Sequence, residues 1–101
     1  METWKPISAA ELEALISSQL EECSPSQRNA FLVYRVPLYH VPIERFGQME
    51  AVFVVARKGD EVMYFEDIEE GFNISKLGPN GGIAEPAANQ DELKYAIQKW
   101  Q

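Results

Sequence analysis

The sequence predicts an α+β fold in which two N-terminal helices precede an antiparallel meander of three or four strands, and a C-terminal helix packs on the sheet. Two Ser-x-x-Glu/Gln boxes predict helix starts, and a Gly-Asp pair separates two apolar, strand-forming segments. The last residues repeat apolar side chains at helical spacing. Helices on one face of an antiparallel sheet form a two-layer architecture. The length of 101 residues predicts a single globular domain, residues 1–101.

Both N-terminal helices have marked starts. Ser8 and Glu11 form the first capping box, in which each side chain satisfies a backbone N–H of the other residue. Ser24 and Gln27 form the second, and Pro25 suits the first helical position. The first helix carries one stripe of apolar residues at three- and four-residue spacing, namely Leu12, Leu15, Ile16, Leu20 and Cys23.

The strongest β signal is a hairpin whose strands are residues 49–58 and 61–66, joined by Gly59-Asp60 in a type II′ turn. A strand over residues 36–46 precedes it and is confined to a sheet edge, because Pro37 and Pro42 have no N–H to donate. Residues 71–77 form a third strand of the meander, residues 78–82 a turn, and residues 83–88 an extended segment. The last helix begins at Asn89 or Asp91 and buries Leu93, Ala96, Ile97 and Trp100.

The hairpin register predicts which side chains share a face. Pairing Lys58 with Glu61 places Val54 opposite Phe65 on one face and Val55 opposite Tyr64 on the other. Phe53 then lies beside Glu66 on that second face, which is apolar in its middle. A sheet that is solvated on one side alternates more regularly than this. We therefore expect another segment or a partner to cover part of the second face.

The charge pattern excludes two classes of partner. The chain has sixteen Asp and Glu residues against nine Lys and Arg residues, a formal net charge of −7. Residues 59–75 contain six acids and no base. A nucleic-acid backbone or an anionic membrane requires positive charge on the protein, so neither is expected to bind.

We predict a cytoplasmic protein without cofactor or metal. The single cysteine, Cys23, excludes an intramolecular disulfide and suits a reducing compartment. The N-terminus lacks the basic and apolar regions of a signal peptide. The acidic residues 66–70 lack the ligand spacing and the glycine of a calcium loop.

Catalysis is an alternative that depends on His40, the only histidine. A small enzyme or ligand-binding domain would use His40 with Tyr39, Glu44 and Arg45, provided that these residues converge in a pocket. A Cys23–His40 pair is disfavoured, because nothing in the sequence brings the two residues together and a nucleophilic thiol needs a specific neighbour that lowers its pKa. Cys23 is better explained as a small buried residue of the helix stripe.

The leading hypothesis is a non-enzymatic, inhibitor- or adaptor-like module that binds a protein partner with a basic surface. Apolar patches with charged rims are typical of interfaces, and the charge increases the association rate. The alternative is a homodimer that buries the same hairpin face. The predicted partner-binding residues are Phe53, Val55, Tyr64, Glu66, Asp67, Glu69 and Glu70.

Overall fold

In the described part of the chain, three helices and four strands follow one another in the predicted order, and the α+β fold is confirmed. The computed structural model of the protein describes residues 6–87 and 89–101. Residues 1–5 and Ala88, the last residue of the predicted extended segment, lie outside the described residues. The elements are α1 (Ala9–Glu22), α2 (Pro25–Tyr34), β1 (Arg35–Arg45), β2 (Gln48–Lys58), β3 (Glu61–Glu66), β4 (Gly71–Lys76) and α3 (Leu93–Gln98).

Both predicted capping boxes form. Ser8 Oγ accepts the Glu11 N–H at 3.1 Å, and the Glu11 carboxylate accepts the Ser8 N–H at 3.0 Å. This hydrogen bond from the Ser8 backbone lowers the pKa of Glu11. Ser24 and Gln27 make the same reciprocal pair. The two boxes satisfy N–H groups that have no partner inside the helix, which fixes where α1 and α2 begin.

The four strands form one antiparallel sheet in the order β1-β2-β3-β4. The predicted edge strand is β1, and the predicted hairpin is β2–β3 with Lys58 paired to Glu61. Gly59 has a φ of +63°, whereas Asp60 is not among the residues with positive φ. A positive φ at the first turn residue alone fits the predicted type II′ turn.

The predicted register is wrong beyond Ala56, because β2 contains a bulge. Ala56 pairs with Met63, in the register that Lys58 and Glu61 set, but Val54 pairs with Tyr64 and Phe53 with Phe65. A bulge inserts one unpaired residue and moves the residues beyond it by one position, which exchanges their faces. Val55 is therefore not opposite Tyr64, and Phe53 is not beside Glu66.

The sheet separates two apolar clusters. The helices cover one face, where Val55, Met63 and Phe65 pack with Leu12, Phe31 and Ile97. The opposite face buries a smaller cluster, whose members are Val41, Ile43, Val52, Val54, Val62, Tyr64 and Ile83. The segment of residues 77–87, here called the strap, covers this second face. The expectation that some segment covers the face is thus confirmed, and the segment belongs to the same chain.

The strap joins the two edge strands. Ile83 N–H donates to Pro42 O in β1 at 2.9 Å, and the next residue, Ala84, donates to Lys76 O in β4 at 2.9 Å. Adjacent residues reach both edges only if the sheet curls strongly. The strap therefore closes the outer side of a curled sheet.

The last helix starts later than predicted. It begins at Leu93 rather than at Asn89 or Asp91, and it packs against α1, α2 and β4. Its N-cap is Glu92 rather than Asn89, and Glu92 makes no side-chain capping hydrogen bond. The Asn89 backbone N–H donates to the Asn73 side chain at 3.1 Å. Asp91 O accepts the Phe72 N–H at 2.9 Å. Contacts with β4 thus hold residues 89–91 extended. Among the described residues, no helix has the length and apolar character needed to cross a membrane.

Candidate functional site

Two turns meet at one end of the sheet and define the candidate site. In an antiparallel meander, the β1–β2 and β3–β4 turns lie at the same end. The first turn is Phe46-Gly47, and the second comprises residues 67–70, which include Asp67, Glu69 and Glu70. We call this end of the molecule the acidic end.

A buried ion cluster lies between the two turns. The guanidinium of Arg45, the last residue of β1, is hydrogen-bonded to Glu66 Oε1 at the end of β3. Arg45 Nε lies 2.6 Å from Glu50 Oε1, and Arg45 Nη2 lies 3.8 Å from Asp67 Oδ1. One guanidinium therefore faces three carboxylates, a formal excess of negative charge at a largely buried position.

Glu66 is the most buried acid of the cluster, with 1% of its surface exposed. Its Oε1 accepts both the Arg45 guanidinium and the Ile68 N–H, the latter at 3.0 Å. Its Oε2 is also buried and has no hydrogen-bond partner among residues 6–87 and 89–101. Buried carboxylate oxygens are normally paired, because desolvation of an unpaired one is costly.

A cavity of about 230 Å³ opens beside this cluster. Its carboxylates are Glu44, Glu66 and Glu69, and among the described residues Arg45 is the only base that lines it. Its apolar walls come from three different segments of the chain, at Phe46, Ile68 and Pro86. The cavity thus combines an acidic interior with apolar walls.

Phe46 is unusual in both its conformation and its exposure. It is 96% exposed, and its φ is +52°, a region that bulky side chains rarely adopt. Gly47 follows with a φ of +76°. Two positive φ values in a two-residue loop define a type I′ turn, where Asn-Gly is the preferred pair. Neither packing nor the geometry of the turn therefore explains an aromatic residue at this position.

The structure divides the predicted partner-binding residues between the two faces of the sheet. Phe53 and Val55 lie on the helix side, and Tyr64 lies under the strap. Val55 and Tyr64 are fully buried, so neither can anchor a partner from an exposed hairpin face. The proposed homodimer surface is covered for the same reason.

The predicted acids all lie at the acidic end, but they differ in burial. Glu66 and Asp67 belong to the buried cluster, and Asp67 also accepts the Ile7 N–H at 3.2 Å. Glu69 and Glu70 are exposed. Of these four acids, Glu69 and Glu70 are therefore the two that face solvent.

Tyr64 fastens the strap rather than presenting a binding surface. Its hydroxyl donates to Ala87 O at 3.1 Å and accepts the Ala87 N–H at 3.0 Å. Burial raises the pKa of this phenol. The neutral form is therefore the one that the folded protein favours.

We expect Tyr64→Phe to lower the free energy of unfolding by about 1–2 kcal/mol, because two backbone groups of Ala87 lose their partner. Below pH 10 the ionisation of Tyr64 costs no stability. As the pH rises above the ordinary tyrosine value of about 10, the unfolded chain ionises first and stability falls. Urea unfolding curves between pH 8 and pH 11 measure both effects. Tyr95→Phe, at an exposed position of α3, is the control; the role of Tyr64 would be refuted if both variants kept the wild-type pH profile.

His40 and its predicted neighbours do not converge. Glu44 and Arg45 line the cavity, whereas His40 is exposed and its ring stacks on Phe53 with centroids 4.0 Å apart. Five residues of extended strand separate His40 from Arg45 by about 17 Å. Cys23 is buried, and desolvation raises the pKa of its thiol. This geometry lends no support to catalysis by His40 or Cys23.

Two residues of the site, Arg45 and Phe46, were not predicted to bind a partner. The alternation of Val41 and Ile43 continues to Arg45, which places a base on an otherwise apolar face. Phe46-Gly47 occupies a turn position where Asn-Gly is common. Both signals are present in the sequence, but they become informative only once the strand ends are fixed at Arg45 and Gln48.

Comparison of the chain with models of protein families, with curated proteins and with solved structures found no match. Within the described residues, no group of three or more His, Cys, Asp or Glu side chains is arranged to hold a metal ion.

Proposed function

We propose that the protein is a non-enzymatic interaction module whose acidic end binds a protein partner with a basic surface. One observation carries this proposal. Two turns bring the exposed side chains of Phe46 and Ile68 to the rim of a cavity lined by Glu44, Glu66 and Glu69. Exposed apolar side chains beside charge of one sign are typical of an interface.

The roles of the acids follow from their burial. Glu69 and Glu70 are exposed, so they act through long-range attraction, which raises the association rate more than it lowers the dissociation rate. Glu66 and Asp67 hold the two turns together through Arg45. Phe46 and Ile68 replace Tyr64 as the candidate apolar anchors, because they are exposed whereas Tyr64 is buried.

The test compares two pairs of exposed acids. A partner is captured from the native lysate at low salt, and its binding kinetics are measured with the wild type and with Glu69→Gln/Glu70→Gln. We expect this variant to associate about fivefold more slowly at low salt, and the difference to shrink at high salt because the charges are screened. Glu21→Gln/Glu22→Gln changes two exposed acids of α1 and should leave the rate close to wild type. Equal rates for the two variants, or a salt-independent wild-type rate, would refute the proposal.

A further inference from the structure

We propose that the cavity at the acidic end receives the arginine side chain of the partner, with its guanidinium directed at Glu66 and its plane against Phe46. This inference rests on the proposed function and specifies the chemistry of the contact. It is carried by four features of the described residues: the charge of the cavity, its volume, a buried carboxylate oxygen without a partner, and an exposed aromatic ring.

The charge around the cavity favours a cationic ligand. Arg45 already faces the three carboxylates of Glu50, Glu66 and Asp67. Glu44 and Glu69 add two further carboxylates to the lining. Among the described residues, five acids and one base therefore lie in this cluster or in the cavity lining. An anionic or neutral polar ligand would leave this excess of negative charge uncompensated. A second guanidinium or an ammonium group compensates part of it.

The volume of the cavity suits a single side chain rather than a larger ligand. Pockets that enclose drug-sized ligands and cofactors measure about 300–1,000 Å³, whereas this cavity measures about 230 Å³. The apolar walls at Ile68 and Pro86 suit the methylene stem of a long basic residue. A peptide segment would therefore place one side chain in the cavity and the rest of its surface against the two turns.

The buried carboxylate provides the independent sign of a ligand. Glu66 is 1% exposed, it lines the cavity, and its Oε2 has no hydrogen-bond partner among the described residues. Glu50 Oε1 and Asp67 Oδ1 of the same cluster are likewise buried without a hydrogen-bond partner among the described residues. An incoming N–H donor would satisfy Glu66 Oε2 after a rotation of the carboxylate opens this oxygen to the cavity. The gain is large at such a site, because hydrogen bonds between ionised groups are stronger in a desolvated environment.

The aromatic ring favours arginine over lysine. A guanidinium is planar, weakly hydrated and able to stack on an aromatic face while it donates in its own plane. The ring of Phe46 is exposed at the rim of the cavity. An ammonium group would lose more hydration on entering the cavity and could not stack on the ring in this way.

The first experiment uses small probes, so that it does not depend on finding the partner. The 15N-labelled protein is titrated with N-acetyl-arginine-N-methylamide, with the corresponding lysine derivative, and with the citrulline derivative, which has nearly the shape of arginine without its charge. We expect saturable shifts of the amide signals of Phe46, Ile68 and Glu69 with the arginine probe, and a Kd on the order of millimolar for one isolated side chain. The lysine probe should bind at least about threefold more weakly, and the citrulline probe should cause no shifts at these amides. Equal shifts with arginine and citrulline, or shifts confined to other parts of the protein, would overturn the inference.

The second experiment uses variants that keep the fold. Phe46→Asn places a favoured residue in the type I′ turn and removes the ring. We expect it to weaken binding of the arginine probe about three- to fivefold. Glu69→Gln should weaken binding about two- to fivefold, and Glu21→Gln on α1 should not change it. Unaltered affinity in Phe46→Asn would refute the stacking of the guanidinium on this ring.

The outcomes also separate this inference from the proposed function. If a basic partner binds and its association rate falls in Glu69→Gln/Glu70→Gln but its affinity is unchanged in Phe46→Asn, the proposed function stands and the arginine contact is refuted. If the arginine probe fills the cavity but the captured partner binds independently of salt and of Glu69 and Glu70, the cavity inference stands and the proposed steering role is refuted.

Discussion

Replacing Arg45 by methionine is expected to lower the free energy of unfolding by about 3–5 kcal/mol, the cost of removing one partner from a buried ion pair. Methionine occupies a similar length but cannot donate to Glu66 Oε1. It would leave the Glu66 carboxylate, 1% exposed, beside Glu50 and Asp67 without a base. Urea unfolding followed by circular dichroism gives the free energy. The loss is large because an unpaired buried charge is costly, and not because the ion pair itself is strongly stabilising.

Two further variants test this explanation. Arg57→Met removes an exposed arginine of β2, whose Nε donates to Gly59 O, and should cost less than about 1 kcal/mol. The double variant Arg45→Met/Glu66→Leu removes both members of the buried pair, so we expect it to be more stable than Arg45→Met alone. A cost for Arg45→Met no greater than that for Arg57→Met would show that the ion cluster behaves as a solvated surface pair.

The elements predicted most accurately are those that local interactions determine. Ser8 with Glu11, and Ser24 with Gln27, form hydrogen bonds within one helical turn. The Gly59-Asp60 turn is equally local, since the positive φ of Gly59 fixes a two-residue loop. Nothing distant in the chain is needed to form these features, so a single sequence suffices to predict them.

The errors arise where distant residues decide the structure. The bulge at Val55 depends on what packs on each face of β2, and the sequence permits both registers. The start of α3 is displaced because Asn89 and Asp91 bond to β4, sixteen or more residues earlier in the chain. Apolar composition indicates that the second face of the sheet is covered. It does not indicate whether the covering segment is the strap or a partner.

The candidate site was only partly predictable for the same reason. The acidic residues 66–70 are contiguous, so the sequence shows their charge directly. Arg45 reaches Glu66 across β2, through a contact of residues twenty-one positions apart. Burial then assigns different roles to neighbouring acids, since Glu66 is buried whereas Glu69 and Glu70 are exposed. These roles cannot be separated without the tertiary structure.

Gly71→Ala is the second substitution with a large expected effect, about 3–4 kcal/mol of lost unfolding free energy. A Cβ atom added at Gly71 would lie 2.0 Å from Asn89 O and 2.6 Å from Gln90 Cα. Both are backbone atoms, so no side-chain rotation relieves the overlap. Residues 89–91 must move away from β4, which costs the hydrogen bond from Phe72 N–H to Asp91 O and weakens the two between Asn73 and Asn89. Overpacking of this kind costs about 1–3 kcal/mol, and each lost hydrogen bond about 1 kcal/mol.

Gly59→Ala separates steric overlap from backbone strain. Gly59 has a φ of +63°, and no atom of the described residues lies within 4 Å of its added Cβ. This variant should therefore cost only the backbone strain of about 1–2 kcal/mol. Amide hydrogen exchange gives a second readout. In Gly71→Ala we expect faster exchange at Phe72 and Asn89, because their amides lose partners, whereas Gly59→Ala should leave these two amides protected. If the two variants lose the same free energy of unfolding and the Phe72 amide stays protected in both, the close contact between Gly71 and residues 89–90 does not keep residues 89–91 packed against β4. If the contrast is found, Gly71 is the position that allows this segment to pass against β4 and so keeps Pro86 and Ala87 at the wall of the cavity.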